Sequence, residues 1–214
     1  MKRIASGRGE VALHELRAGA GPTLLALHAL GGSARDFAAL AAHWPGRVLA
    51  LDFAGHGASA WTRGGSYTPE LHAACADDAL LEAGDAYLVG AGLGAYVALL
   101  LAGTRAPRVP AALLLPGRGL EGGGPAPRFE RPLELDLLLA TEATTRPAFD
   151  PMLRACETDP RPPDYARHFA DAARRLLFAE DGGPRAPWWE AARDAATSEA
   201  APGDPLAALS RLLP

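Results

Sequence analysis

Leu88-Val89-Gly90-Ala91-Gly92-Leu93-Gly94-Ala95-Tyr96 joins two apolar runs through three glycines at alternate positions. Ahead of the glycines, Ala86-Tyr87-Leu88-Val89 has the length and character of a buried strand. Behind them, Tyr96-Val97-Ala98-Leu99-Leu100-Leu101-Ala102 is a helix-forming run. The spacing is that of a G-x-S-x-G elbow, a tight strand-to-helix turn that lifts its central side chain above a sheet. Here the central residue is Gly92, which has no side chain to lift. Such a turn holds its central residue at positive φ, a strain of about 1–3 kcal/mol for a residue with a Cβ, and glycine relieves it.

The same letters also satisfy the G-x-G-x-x-G/A dinucleotide fingerprint through Gly90, Gly92 and Ala95. The surroundings argue against that use. The next strand ends in Leu115-Pro116-Gly117 with no acid to hold a ribose, and the nearest, Glu121, falls in the following loop. Several strands also precede the motif. No nicotinamide, flavin or other cofactor is expected.

Working outward, residues 11–16 and 23–28 read as two strands of a hairpin-type opening around the Gly19-Ala20-Gly21-Pro22 turn. A glycine-rich loop, 29–33, leads into an amphipathic helix over 34–43. Arg47-Val48-Leu49-Ala50-Leu51-Asp52 is a continuous apolar strand of the kind buried on both faces. The spacing then predicts a helix over 69–83 and a strand over 111–115. From 121 to about 163 the chain turns to Gly, Pro and charge, which suits an inserted cap. A helix over 165–174, a strand over 175–181 and helices over 188–195 and 205–213 complete the reading. Strands alternating with helices imply an α/β fold with a mostly parallel sheet covered on both faces. At 214 residues the chain is read as one domain, 1–214, with a cap at about 121–174.

Composition narrows the function classes. A formal net charge of -4, with no basic cluster, argues against a nucleic-acid partner. No apolar run approaches the roughly 18 residues of a membrane span, and residues 1–8 lack the apolar core of a secretion signal. A cytoplasmic protein without a membrane partner is therefore expected. Cys75 and Cys156 have no metal or redox motif beside them and read as buried thiols, and no metal site is expected.

The order of elements resembles the α/β-hydrolase superfamily. Leu27-His28-Ala29-Leu30-Gly31-Gly32-Ser33 is similar to that family's HG-x-G-G oxyanion loop, and Asp52-Phe53-Ala54-Gly55-His56-Gly57-Ala58-Ser59 to its D-x-x-G-H-G-x-S loop. Gly90 to Gly94 is similar to its elbow, and Asp181 follows a late strand where the family keeps its acid. The local string at the elbow also resembles the non-catalytic N-myc downstream-regulated proteins. The resemblance implies a Ser or Asp nucleophile, a His that relays its proton, an acid that orients the His, and two backbone N–H groups for the oxyanion. This chain departs from that set. Gly92 supplies no nucleophile. The six histidines are His14, His28, His43, His56, His72 and His168, so none follows residue 168, where the family's histidine is expected. Asp204, in Ala201-Pro202-Gly203-Asp204-Pro205, stands near that place instead.

His28, His56 and Asp181 are the candidate catalytic groups that remain. His28 and His56 also suit loop bracing, and Asp181 suits a turn before Gly182-Gly183-Pro184. Ser33 and Ser59 read as caps of following helices, His168 as a helical surface or packing residue, and Trp188-Trp189 as a core anchor. The candidate pocket comprises His28, Leu30, Gly92, Leu93 and Asp181, with the N–H groups of Leu30 and Leu93 as retained donors. The leading expectation is a non-hydrolytic protein binding a small, apolar carbonyl or carboxylate compound. A hydrolase or lyase with an unconventional site, and an interaction or scaffold protein, are the alternatives.

Overall fold

The computed structural model describes residues 1–7, 9–61, 67–120 and 149–213. Among them, eight strands form one sheet: β1 (Lys2–Ser6), β2 (Gly9–Arg17), β3 (Thr23–Leu27), β4 (Val48–Asp52), β5 (Ala86–Ala91), β6 (Ala112–Leu115), β7 (Leu176–Glu180) and β8 (Ser198–Pro202), in the order β1-β2-β4-β3-β5-β6-β7-β8. β1 pairs antiparallel with β2, and β2 with β4. Every later pair is parallel.

The side chains of the inner strands alternate between two cores, one on each face, because successive residues of a strand point to opposite sides. Leu25, Leu27, Leu49, Leu51, Leu88 and Phe178 face one core. Leu24, Ala26, Val48, Ala50, Val89 and Leu177 face the other. Helices cover both. The first core takes α2 (Pro69–Ala83), α3 (Leu93–Thr104), α4 (Pro163–Ala172) and α5 (Pro187–Arg193). The second takes α1 (Ala38–His43) and α6 (Pro205–Leu209).

Local chemistry sets the helix ends. Pro69 opens α2 behind Thr68, whose side chain accepts from the Leu71 N–H at 3.2 Å, and Gly84 at φ +83° closes it. α3 is buried from Leu93 to Ala102, as an all-apolar helix must be.

Several sequence expectations are corrected. The run over 34–43 is not one helix: a 3-10 turn, Ala34–Phe37, precedes α1. β1 and β8 are not announced by the sequence pattern, and the strands on either side of the 19–22 turn are not hairpin partners, because β4 lies between β2 and β3. Of the expected cap, residues 121–148 lie outside the described residues; the remainder holds a 3-10 turn, Pro151–Cys156, and α4.

Candidate functional site

The elbow follows from β5 running straight into α3. Gly92 takes φ +52° between them, and its N–H donates to the Leu115 carbonyl at 3.1 Å. A Cβ at this position would fall within bonding range of the Arg118 carbonyl oxygen, and 2.5 Å from the Gly117 carbonyl carbon. The space into which an elbow side chain would rise is therefore filled by the backbone that follows β6.

That backbone reaches further. The Arg118 carbonyl oxygen accepts from the Leu93 N–H at 2.8 Å and from the Leu30 N–H at 3.2 Å. These are the two donors that the resemblance marks as an oxyanion site, and they converge on one oxygen as such a site requires. The oxygen is the protein's own. Leu120, two residues on, is the one non-glycine residue among the described residues at positive φ, +57°. This strain of about 1–3 kcal/mol persists only where neighbours over-determine the backbone. They do so here: the Leu120 N–H donates to the Cys156 carbonyl at 2.7 Å, its carbonyl accepts from Trp188 Nε1 at 3.0 Å, and its side chain is buried.

His28 and His56 are buried on the loops beside the elbow, with ring centroids 4.7 Å apart. His28 Nε2 accepts from the Phe53 N–H at 3.0 Å, which leaves Nδ1 to donate to the Ala29 carbonyl at 2.7 Å. His56 Nε2 accepts from the Gly31 N–H at 3.0 Å, and its Nδ1 donates to the Ala54 carbonyl at 3.3 Å. Each ring spends its basic lone pair on a backbone N–H and ties the β3 loop to the β4 loop. Burial, opposed by the Ala29 contact, pushes the His28 pKa below its ordinary value. Burial and the neighbouring His28 and His72 push that of His56 well below.

His72 of α2, not singled out in the sequence, completes a row of three imidazoles. It lies 6.1 Å from His56 and against Phe53 and Tyr67. It is fully buried, and neither ring nitrogen has a hydrogen-bond partner. Burial, followed by repulsion from His28, lowers its pKa to about 3. All three rings are therefore neutral near pH 7.

Asp52 organises the loop after β4. Its carboxylate accepts from the Ala34 N–H at 2.7 Å and the Ala58 N–H at 2.9 Å, and contacts His14 Nε2 at 2.9 Å. Gly57 must lack a Cβ because the Asp52 carboxylate fills that space. Ser59 caps no helix: its hydroxyl accepts from the Ala12 N–H at 2.8 Å and donates to the Asp52 carbonyl, binding the loop to β2.

The other sequence candidates lie apart from this cluster. Asp181 is exposed beyond β7, paired with Arg185 and accepting from the Gly183 N–H at 2.9 Å; the Arg185 guanidinium holds its pKa below the usual carboxylate range. Asp204 caps α6, accepting from the Ala207 N–H at 2.8 Å. His168 is exposed on α4. Cys156 is buried, and its pKa is pushed up to about 12 by burial and by Asp159, so it is a thiol rather than a thiolate. The structure thus brings His28, His56, Leu30, Gly92 and Leu93 together and leaves Asp181 outside.

Two groups that sequence reasoning missed sit at the rim. The Arg118 guanidinium lies 3.4 Å from where a Gly31 Cβ would stand, and it contacts Glu157 at 3.4 Å. Glu157 is buried, one of its oxygens has no hydrogen-bond partner, and burial raises its pKa. The only trace of this in the sequence is Gly117-Arg118-Gly119, glycines on both sides of one arginine. Among the described residues no three His, Cys, Asp or Glu side chains are placed to hold a metal ion, and no helix is long and apolar enough to cross a membrane.

A model of the alpha/beta hydrolase family matches residues 24–213. Among solved structures, the chain is similar to a hydrolase from Pseudomonas aeruginosa PA01, with 20% identity, 99% of this chain and 92% of that chain covered, and a TM-score of 0.71. It is similar to the thioesterase domain from the curacin biosynthetic pathway, with 18% identity, 100% and 98% covered, and a TM-score of 0.71. It is also similar to the bottromycin epimerase BotH in complex with bottromycin A2, with 19% identity, 99% and 94% covered, and a TM-score of 0.65. At these identities the likeness is one of fold. No curated protein matches the chain.

Proposed function

The chain belongs to the alpha/beta hydrolase family, and from that premise we propose that it is a non-hydrolytic member with a degenerate triad. It binds a small, apolar carbonyl or carboxylate compound at the old oxyanion site without cleaving it. One observation carries the reading: the N–H groups of Leu30 and Leu93 both donate to a single carbonyl oxygen, that of Arg118, directly above a glycine. The donors keep the geometry that recognises a carbonyl, while the position from which a nucleophile would attack is occupied by backbone. In this closed state the protein supplies its own occupant.

The unconventional-enzyme reading needs a base, and the lone pairs of His28 and His56 are already engaged by backbone N–H groups. The scaffold reading has one observation in its favour, the anchoring of Leu120 by Cys156 and Trp188, which suits a permanent clamp. A neighbour of the same fold carries the name epimerase, so the scaffold is not tied to hydrolysis by name.

The test is turnover of p-nitrophenyl acetate and p-nitrophenyl hexanoate. The expected release equals that of buffer alone. Hydrolysis that disappears in His28→Ala or Asp181→Ala would sink the proposal.

A further inference from the structure

We propose that the Arg118–Gly119 peptide is an autoinhibitory gate over the paired N–H groups of Leu30 and Leu93, and that turning it outward admits the carboxylate of a small monocarboxylate. This rests on the non-hydrolytic binding reading and adds to it the moving part and the charge of the ligand.

Turning the Arg118 carbonyl out of the site requires rotation about ψ of Arg118 and φ of Gly119, the two torsions flanking that peptide plane. Gly119 stands at φ +100°, a conformation that other residues rarely adopt, and glycine takes negative φ as readily. The contacts on either side mark the ends of the stretch that moves. Before the gate, the Gly92 N–H holds the Leu115 carbonyl; after it, Leu120 is tied to Cys156 and Trp188. The stretch between these two ties must also carry the Gly117 and Arg118 backbone off Gly92, because that backbone, and not the carbonyl oxygen alone, fills the space.

Opening leaves the Leu30 and Leu93 N–H groups without an acceptor inside a buried site, a state that a ligand oxygen relieves. The surroundings favour a negative one. Leu93 is the first residue of the twelve-residue α3, whose N-terminus carries positive partial charge, and the Arg118 guanidinium stands beside Gly31, next to the Leu30 donor. The guanidinium contacts Glu157 at 3.4 Å. A ligand carboxylate would share that cation with Glu157. Leu30, Leu93, Leu120 and Phe149 around the gate suit a short alkyl chain.

The test uses 15N-labelled protein and sodium hexanoate. In the wild type, the Leu30 and Leu93 amides should exchange with solvent by local opening, faster than Leu88 and Val89 of β5 by about tenfold or more. Hexanoate should shift both amide resonances saturably and slow their exchange. Gly119→Ala places a Cβ 3.0 Å from Leu93 Cβ and 3.1 Å from Leu30 Cβ in the closed state. By disfavouring that state it should tighten hexanoate binding by roughly tenfold, since less of the protein starts out closed. Exchange of both amides only at the rate of global unfolding would overturn the gate. So would the absence of a hexanoate shift at either amide of the wild type, whatever the fate of the variant. Cleavage of p-nitrophenyl hexanoate would instead overturn the non-hydrolytic reading, which the amide measurements do not address.

Discussion

The backbone nitrogen of Leu93 and the carbonyl oxygen of Arg118 stand 2.8 Å apart, so the first amide of the elbow helix is satisfied by the loop after β6. In a working oxyanion site that amide waits for substrate. Here it holds a peptide of its own chain, and the elbow, the β3 loop and the β6 loop become one hydrogen-bonded unit. The consequences fall first on residue 92.

Gly92→Ser should not create an esterase. The new side chain meets the Arg118 carbonyl and the Gly117 carbonyl carbon, and it takes a left-handed φ. Overpacking and backbone strain together cost about 2–4 kcal/mol, so the melting temperature falls by roughly 5–15 °C. Thermal melting followed by circular dichroism checks the loss, and stopped-flow measurement with p-nitrophenyl acetate checks for a burst. A burst in a variant as stable as the wild type would mean that the loop yields and that a base lies within reach.

The burial of the three imidazoles predicts acid lability. Their folded pKa values lie below the unfolded value near 6.5, so the folded state binds fewer protons than the unfolded one. Stability is complete above about pH 6.5. Below it, each neutral histidine costs about 1.4 kcal/mol per pH unit until its folded pKa is reached, about 3 for His72. His72→Leu removes an imidazole without partners and keeps the packing against Phe53 and Tyr67. It should be as stable as the wild type or more stable at pH 7, with a shallower loss between pH 6 and 4. Urea titrations across that range measure both, and an unchanged slope would show that His72 is already hydrated or charged.

Much of the architecture was legible because it depends on local pattern. β4, written Val-Leu-Ala-Leu-Asp, could only be an inner strand, and Thr68-Pro69 with Gly84 marks both ends of α2. β1 and β8 carried no such pattern. β1 alternates only weakly at a sheet edge, and Ser198-Glu199-Ala200-Ala201-Pro202 is poor in β-forming residues and is a strand because β7 lies beside it. The candidate site divides in the same way. Gly92 and the loops holding His28, His56 and Leu30 could be read from motif spacing. The occupant could not, because a carbonyl oxygen belongs to every residue, and only the fold brings that of Arg118 to Leu93.

Asp52 and Asp181 should separate structural from peripheral carboxylates. Asp52→Ala leaves the buried Ala34 N–H and the half-buried Ala58 N–H without their acceptor and releases His14, a loss of about 2–4 kcal/mol. Asp181→Ala removes the exposed carboxylate of a pair whose Arg185 side chain is buried over Trp189, a smaller loss of about 1 kcal/mol. Guanidinium denaturation of the two variants makes the comparison. A large loss at Asp181 would place that carboxylate in a structural role that its exposure does not suggest.

Trp188→Phe tests the anchor of the gate. The indole N–H is the donor that holds the Leu120 carbonyl, and the ring packs edge-on against Tyr96 at 4.9 Å. Phenylalanine keeps an aromatic ring but leaves a buried carbonyl without its donor, which costs about 1–3 kcal/mol. Because Leu120 keeps its left-handed backbone only while both its N–H and its carbonyl are held, losing one tie should let the strained residue relax. That freedom passes along the chain to Arg118. The Leu30 and Leu93 amides should therefore exchange faster in this variant than its overall loss of stability accounts for. Exchange at those two amides that merely tracks the global loss would mean that the Cys156 contact alone fixes the loop.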